Sequence, residues 1–253
     1  MAAWFALHLV LGDATWWLGL LNAFSVYLFS PLAVWLLLGW PAVGGRSSAL
    51  ALPTILFLLL YGRLYLPRLS SPEVAEEPFT VMTFNVMGHE LSIDTARAVV
   101  SEGIPDIVAL QEYTPGMRRR VLDELGDRYP YHAERPYPGI HGLGILSRHP
   151  LTEIDATHLG DSLWRIQIVR VEIDGHPVLI YNVHLTSSDV FGYLDSSIAT
   201  LARELERDLS MREAQAQCLL DDIASRSEPV IVVGDVNSAD RSDVQRLRPV
   251  DEP

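Results

Sequence analysis

The hydrophobic pattern splits this chain in two. Up to about Leu66 the sequence is apolar almost without interruption. From Phe79 onward, apolar runs of strand length alternate with segments whose apolar residues recur every three or four positions. The strand-like runs fall at about 79–86, 106–113, 142–148, 164–173, 176–185 and 229–235, and Asp174-Gly175 between two of them is a tight-hairpin dipeptide. The helix-like segments fall at about 92–103, 115–126 and within 195–225. In the last, Ile198, Leu201, Leu205 and Leu209 begin a stripe that Ala214, Leu219, Leu220 and Ile223 continue. A hairpin set in a mixed order of elements predicts an α+β domain over 79–253, not a doubly wound parallel sheet.

Residues 1–69 read as a membrane anchor. Trp16 to Trp40 is 25 residues without a charge, long enough as a helix to cross a hydrocarbon core of about 30 Å. A second run, 49–66, carries only Arg63, close enough to its end for the guanidinium to reach the interface. Trp16, Trp17, Trp40, Tyr61 and Tyr65 stand near the ends of these runs, as in interfacial aromatic belts. Two transmembrane helices are therefore predicted, near 16–40 and 49–66, in a multi-pass protein of the cell membrane whose partner is the lipid bilayer. A cleaved signal peptide fits less well, since no basic segment precedes the first apolar run and a second long run follows. Ala2 to Gly12 is apolar but too short to span, and reads as an interfacial piece or the end of a further helix. Basic residues do not fix the orientation, with Arg46 between the spans and Arg63 and Arg68 at the end of the second. The acidic, Pro-bounded stretch 70–78 reads as a linker.

Charge narrows the partners. Three arginines and one acidic residue, Asp13, precede Leu69, so the remainder holds 16 basic and 31 acidic residues, a net charge of −15. Such a surface disfavours sequence-independent binding to nucleic acid, which uses a basic footprint. All 19 basic residues are Arg, which excludes lysine phosphate loops, Schiff-base chemistry and Ser-Lys nucleophiles. The single cysteine, Cys218, leaves no disulfide partner and no multi-thiolate metal site, and reads as part of a packed helix face.

Four of the strand-like runs end in polar residues suited to phosphoryl chemistry. They are Thr80-Val-Met-Thr-Phe-Asn-Val86, Asp106-Ile-Val-Ala-Leu-Gln-Glu-Tyr113, Leu179-Ile-Tyr-Asn-Val-His-Leu185 and Val230-Ile-Val-Val-Gly-Asp-Val-Asn237. Side chains at i and i+2 of a strand share a face, so Asn182 is expected on the face of His184, and Asp235 on that of Asn237. A hard divalent cation needs one or two carboxylates plus phosphate oxygens, and a positioned carboxylate can align water. Imidazole and amide groups can then stabilise the charge that develops in the transition state. Taken singly, each residue is better read as a strand-end cap, a turn or a structural histidine; the joint occurrence in this order outweighs those readings. His8, His89, His132, His141, His149, His158 and His176 lack such support and read as structural or surface residues.

In order and spacing these motifs resemble the endonuclease/exonuclease/phosphatase superfamily, the fold of DNase I, abasic-site endonucleases, inositol polyphosphate 5-phosphatases and neutral sphingomyelinases. The resemblance runs from about Phe79 to Asn237. It implies a four-layer α/β/β/α sandwich and a membrane-anchored phosphoesterase that hydrolyses a phosphodiester or pyrophosphate bond with Mg²⁺ or Mn²⁺. It implies that Asn85 helps hold metal and phosphate, that Glu112 is the metal-binding carboxylate and that His184 contacts the scissile phosphate. Asp235 would align the attacking water and Asn237 would bind phosphate beside it, with Asn182 as a further phosphate-binding group. Val236 stands where the family has Phe, and Gly142-Leu-Gly-Ile-Leu-Ser-Arg-His-Pro150 resembles a family strand with a packing role. The anchor and the acidic surface favour a lipid-linked or small phosphorylated substrate, a nuclease being the less favoured alternative, and the resemblance to bacterial members with such N-terminal spans implies a catalytic domain outside the cytoplasm. The family closes with a strand ending in Asp-His, whereas 16 residues follow Asn237 here and Ser242-Asp243 leads into Val244. The sandwich is thus expected to be incomplete at its C-terminus, and an inactive protein that keeps a phosphate pocket is the other reading.

Overall fold

The computed structural model describes residues 2–12, 15–32, 48–65, 79–86, 103–193 and 196–238. Nearly all of the helix predicted at 92–103, the linker 70–78, the end of the first apolar run and the residues after Ser238, where the sandwich is expected to be incomplete, lie outside them. The chain divides into two compact units. One is built from residues up to Glu76 with Val190–Leu209 and Ser238–Arg246, the other from Glu77–Asp189, Ser210–Asn237 and the last residues.

In the second unit, the described residues form eight strands in two sheets. The first sheet has the order β1-β2-β4-β3, with β1 Val81–Asn85, β2 Ile107–Gln111, β3 Tyr131–Arg135 and β4 Leu143–Ser147. The second has the order β5-β6-β7-β8, with β5 Leu151–Ile154, β6 Ile166–Ile173, β7 His176–His184 and β8 Val230–Asp235. All six predicted strands are present, and the hairpin turns at Asp174-Gly175, with Asp174 at φ 51 and Gly175 at φ 81. β3 and β5 were not predicted. The six residues Tyr131–Pro136 carry four ionisable side chains, and β5 is only four residues long, so neither shows a clean apolar run.

The two sheets face each other across an aliphatic layer. Ile107, Ala109 and Ile145 of the first meet Val169, Val171 and Ile180 of the second, all fully buried. Burying each such side chain stabilises the fold by about 1.5–3 kcal/mol. Outside the first sheet lies α4, Pro115–Leu125, which follows three helices of the apolar unit. Thr114 caps it by accepting from the Met117 N–H, and Pro115 fits its first turn, where no N–H partner is needed. Its Met117, Val121 and Leu125 pack on Val108, Leu110 and Leu146. Against the second sheet stands the C-terminal half of α6, Ile198–Ala224, whose Asp222 receives the Tyr181 hydroxyl of β7. Helix, sheet, sheet and helix are the four expected layers, and the unit is α+β as predicted.

The apolar unit contains α1 Ala2–Leu11, α2 Trp16–Ala23, a 3-10 turn Ser25–Phe29, α3 Ser48–Tyr65 and the short α5 Val190–Tyr193. The single helix expected over 16–40 is not found. α2 ends at Ala23 and gives way to the 3-10 turn. Polar side chains explain the break. Asn22 accepts from Trp4 Nε1 and donates to the Gly12 carbonyl, while Ser25 Oγ donates to the Asn22 carbonyl. Among the described residues no single helix is long and apolar enough to cross a membrane. One pair, Ala3–Leu11 with Trp16–Ala23, meets that test jointly, bent by 117°. This unit is apolar inside and carries apolar side chains on its outside as well. Asn22 is 1% exposed inside a core of Trp4, Leu18, Phe29, Leu56, Leu60 and Tyr61, whereas Val10 is 80% and Leu59 77% exposed.

Candidate active site at four strand ends

Parallel pairing aligns the carboxyl ends of strands. β1 runs parallel to β2 with Asn85 opposite Gln111, and β7 runs parallel to β8 with His184 opposite Asp235. Each sheet therefore brings two polar strand ends to one place. They meet across the sandwich. The Asn85 amide nitrogen lies 3.0 Å from Glu112 Oε1 and 3.2 Å from Asp235 Oδ2, and His184 Nε2 lies 3.8 Å from Glu112 Oε1.

The backbone at this site is held in unusual shapes. Glu112 has φ 57 and Asn237 φ 48, the left-handed region that costs a non-glycine residue free energy and recurs at functional sites. Just before Asp235, Gly234 has φ 129, and a Cβ there would lie 2.0 Å from the Val183 carbonyl oxygen. Only glycine permits β8 to approach β7 so closely at the point where both deliver their polar residues.

His184 is buried and oriented by the carbonyl of Ile140, 2.8 Å from its Nδ1. Burial, reinforced by Arg165, holds this imidazole below its ordinary value of 6.5, against the opposing pull of Asp235, Glu112 and the Ile140 carbonyl. It is therefore neutral at pH 7. The carbonyl contact assigns its proton to Nδ1 and leaves Nε2, on the Glu112 side, as the basic nitrogen. Asp235 Oδ1 accepts the Asn237 N–H at 2.9 Å, which fixes the carboxylate from the side opposite Asn85. Asn237 donates one amide hydrogen to the Leu185 carbonyl at 2.8 Å, and the group carries a second.

Asn182 is a correction. It shares the inward face of His184, as its spacing predicts, but it lies two residues deeper and is fully buried. Its NH₂ donates to the carbonyls of Leu110 and Gly144 in the opposite sheet, and its oxygen accepts from Gln111 Nε2 at 2.6 Å. With its hydrogen-bonding groups engaged between the sheets, it ties them together and is not a phosphate ligand. Gln111, which the sequence reading passed over, belongs to the same tie and also contacts Thr83. A buried amide in an otherwise apolar strand was the available signal. Arg212 and Gln215 of α6 were also missed. Arg212 Nε donates to the Thr186 carbonyl at 2.7 Å and Gln215 accepts the Thr186 N–H, fixing the loop that follows His184.

Among the described residues no three His, Cys, Asp or Glu side chains gather into a metal cluster. The donor set nevertheless suits a hard divalent cation. Glu112 and Asp235 face one another across a single amide, a like-charge arrangement that a cation relieves, and amide oxygen, water and phosphate complete such a shell. Glu112 and Asn85 are the side chains that would hold it. Cys218 is a free thiol on α6, away from these residues in sequence and in element.

The profile of the Endonuclease/Exonuclease/phosphatase family matches residues 82–249. A comparison with curated proteins returns no match. Among solved structures, humanized D. rerio TDP2 is 20% identical with a TM-score of 0.47, covering 64% of this chain and 63% of that one. Sphingomyelinase C from Streptomyces griseocarneus is 18% identical with a TM-score of 0.46, covering 68% of each chain. A β-hairpin deletion mutant of β toxin from Staphylococcus aureus is 16% identical with a TM-score of 0.51, covering 68% of this chain and 71% of that one. This chain thus spans under two thirds of the first of these proteins.

Proposed function

Because this chain belongs to the Endonuclease/Exonuclease/phosphatase family, we propose that it is a metal-dependent hydrolase of phosphate esters held at a lipid bilayer. The observation that carries the reading is the convergence of Asn85, Glu112, His184 and Asp235 from four strands of two sheets. A magnesium or manganese ion, when bound, would supply Lewis-acid polarisation of a phosphoryl oxygen. The protein's own groups do the rest. Asp235, anchored through both oxygens, orients the attacking water and takes up its proton as the P–O bond to the leaving oxygen breaks, and the departing alkoxide takes a proton from solvent. On taking up a proton at Nε2, His184 can donate to a phosphoryl oxygen, and the second hydrogen of the Asn237 amide is available to an equatorial oxygen. The net charge of −13 supports the lipid-linked or small substrate over nucleic acid.

The apolar exterior of this unit supports the bilayer. In hydrocarbon, exposed Val10 and Leu59 cost nothing and an unpaired Asn22 would be expensive, which is the arrangement seen. We place the catalytic unit outside the cytoplasm. The test uses the full chain in detergent with bis-p-nitrophenyl phosphate and Mg²⁺ or Mn²⁺. Metal-dependent turnover that falls by about 10²–10⁴-fold in Asp235→Ala is expected. Absence of turnover in the parent, or turnover indifferent to Asp235→Ala, overturns the reading.

A further inference from the structure

Glu112 sits in the left-handed region at φ 57, and such a backbone persists only where its surroundings over-determine it. Before it stands Gln111, whose carbonyl accepts the Val86 N–H at 3.0 Å and whose amide is tied to Asn182. After it stands Tyr113, which is held at three points. Its N–H donates to the Gly142 carbonyl at 2.9 Å, its carbonyl accepts the Tyr137 N–H at 3.1 Å, and its hydroxyl donates to Glu134 Oε1 at 2.6 Å. Two glycines of the run Gly142-Leu-Gly144 make room for this. A Cβ at Gly142 would lie 1.9 Å from the Tyr113 carbonyl oxygen, and one at Gly144 would lie 3.0 Å from the Tyr113 ring. The fully buried ring thus crosses β4 at Gly144, whose partner on β3 is Glu134. The Glu134 side chain is only 6% exposed. Arg118 of α4 fixes its Oε2 through Nε and Nη2, each at 3.1 Å, and His132 Nδ1 lies 3.3 Å from the same oxygen.

We propose that Tyr113 is a positioning residue for the metal-binding carboxylate. Its hydroxyl, seated on Glu134, holds Glu112 in the left-handed backbone that brings the carboxylate to Asn85. This rests on the phosphoester reading above and adds to that site a residue that touches neither metal nor substrate. Neither neighbour of Glu112 is held through the Glu112 side chain, so its carboxylate is left to Asn85 and the cation. A hydroxyl donating to a carboxylate makes a bond about twice as strong as a neutral pair, which suits a contact that must oppose backbone strain. Without that contact Tyr113 is held by its backbone alone, and position 112 is freer to relax toward the extended region and carry the carboxylate away from Asn85. Tyr129 provides the contrast. It is fully buried in the same core cluster, and its hydroxyl donates at 3.0 Å to the Pro105 carbonyl, which precedes the opposite end of β2.

The experiment measures Mn²⁺ binding to the full chain in detergent by isothermal titration calorimetry, counting only the binding that Glu112→Gln removes. Tyr113→Phe is expected to weaken that binding about tenfold. Glu134→Leu, which breaks the same contact with the tyrosine intact, should match it, and the double variant should lose no more than either. Tyr129→Phe should lower the urea midpoint through its own lost hydrogen bond and leave Mn²⁺ affinity within a factor of about two of the parent. Parent-like affinity in Tyr113→Phe, losses that add in the double variant, or an equal loss in Tyr129→Phe overturns the proposal. A parent that binds Mn²⁺ no better than Glu112→Gln instead removes the metal-dependent reading, and this proposal with it.

Discussion

Glu112 is held at φ 57, which costs a non-glycine residue about 1–3 kcal/mol, and its carboxylate accepts from Asn85. Glycine relieves the backbone and removes the carboxylate. Glu112→Gly should therefore unfold in urea within about 1 kcal/mol of the parent. Its metal-dependent activity should fall by about 100-fold or more. Glu112→Gln, which keeps the strain, should lose activity to the same degree; activity within a factor of about two of the parent in either variant would remove Glu112 from the site. Asn182 carries the opposite expectation. Asn182→Leu strands two carbonyls and the Gln111 amide between the sheets, and should cost about 3 kcal/mol by denaturant titration. At this scale the sequence disclosed which residues are polar at strand ends. It did not disclose depth, because Asn182 and His184 obey the same two-residue alternation and differ only in distance from the rim.

Among the elements, β7 and β8 determine how well the site is assembled. Gly234→Ala would force a Cβ against the Val183 carbonyl at φ 129, and should destabilise the fold by about 3 kcal/mol or more, read as a lowered urea midpoint. α6 is fastened to β7 through Asp222, which accepts from Tyr181, Arg226 and His158. Burial works against the charge on Asp222, but the hydrogen bonds from Tyr181, Arg226 and His158 outweigh it and hold its carboxyl below the ordinary value of 3.8. The unfolded chain then binds this proton at higher pH than the folded one. The stabilisation is present above the unfolded value and is lost as pH falls through the folded one. Urea midpoints should drop steeply below about pH 4, and Asp222→Asn should flatten that drop while lowering the plateau. An unchanged acid limb in the variant would assign it to other carboxylates. The stripe of α6 and the six other strands were legible because periodicity reports burial. β3 and β5 escaped because partly exposed edge strands carry little of that signal.

For the molecule as a whole, composition announced an apolar part and an acidic part, but not how the apolar part is built. A continuous span over 16–40 was expected from the absence of charge, and the helix instead gives way to a 3-10 turn beside Asn22 and Ser25. Neutral polar residues barely register in a hydropathy window, yet they redirect a helix. The full chain should remain with membranes through alkaline carbonate extraction, and Val10→Asp with Leu59→Asp should release a measurable fraction; equal retention would show that other residues hold it. The hydrogen bond between Asn85 and Asp235 joins positions 150 residues apart in sequence. Contacts of such separation form after local hairpins and helices, because the intervening chain must first give up its freedom. During refolding from urea, secondary structure seen by far-ultraviolet circular dichroism should therefore return before metal-dependent turnover. Catalytic competence would then serve as a clock for the final docking of one sheet upon the other.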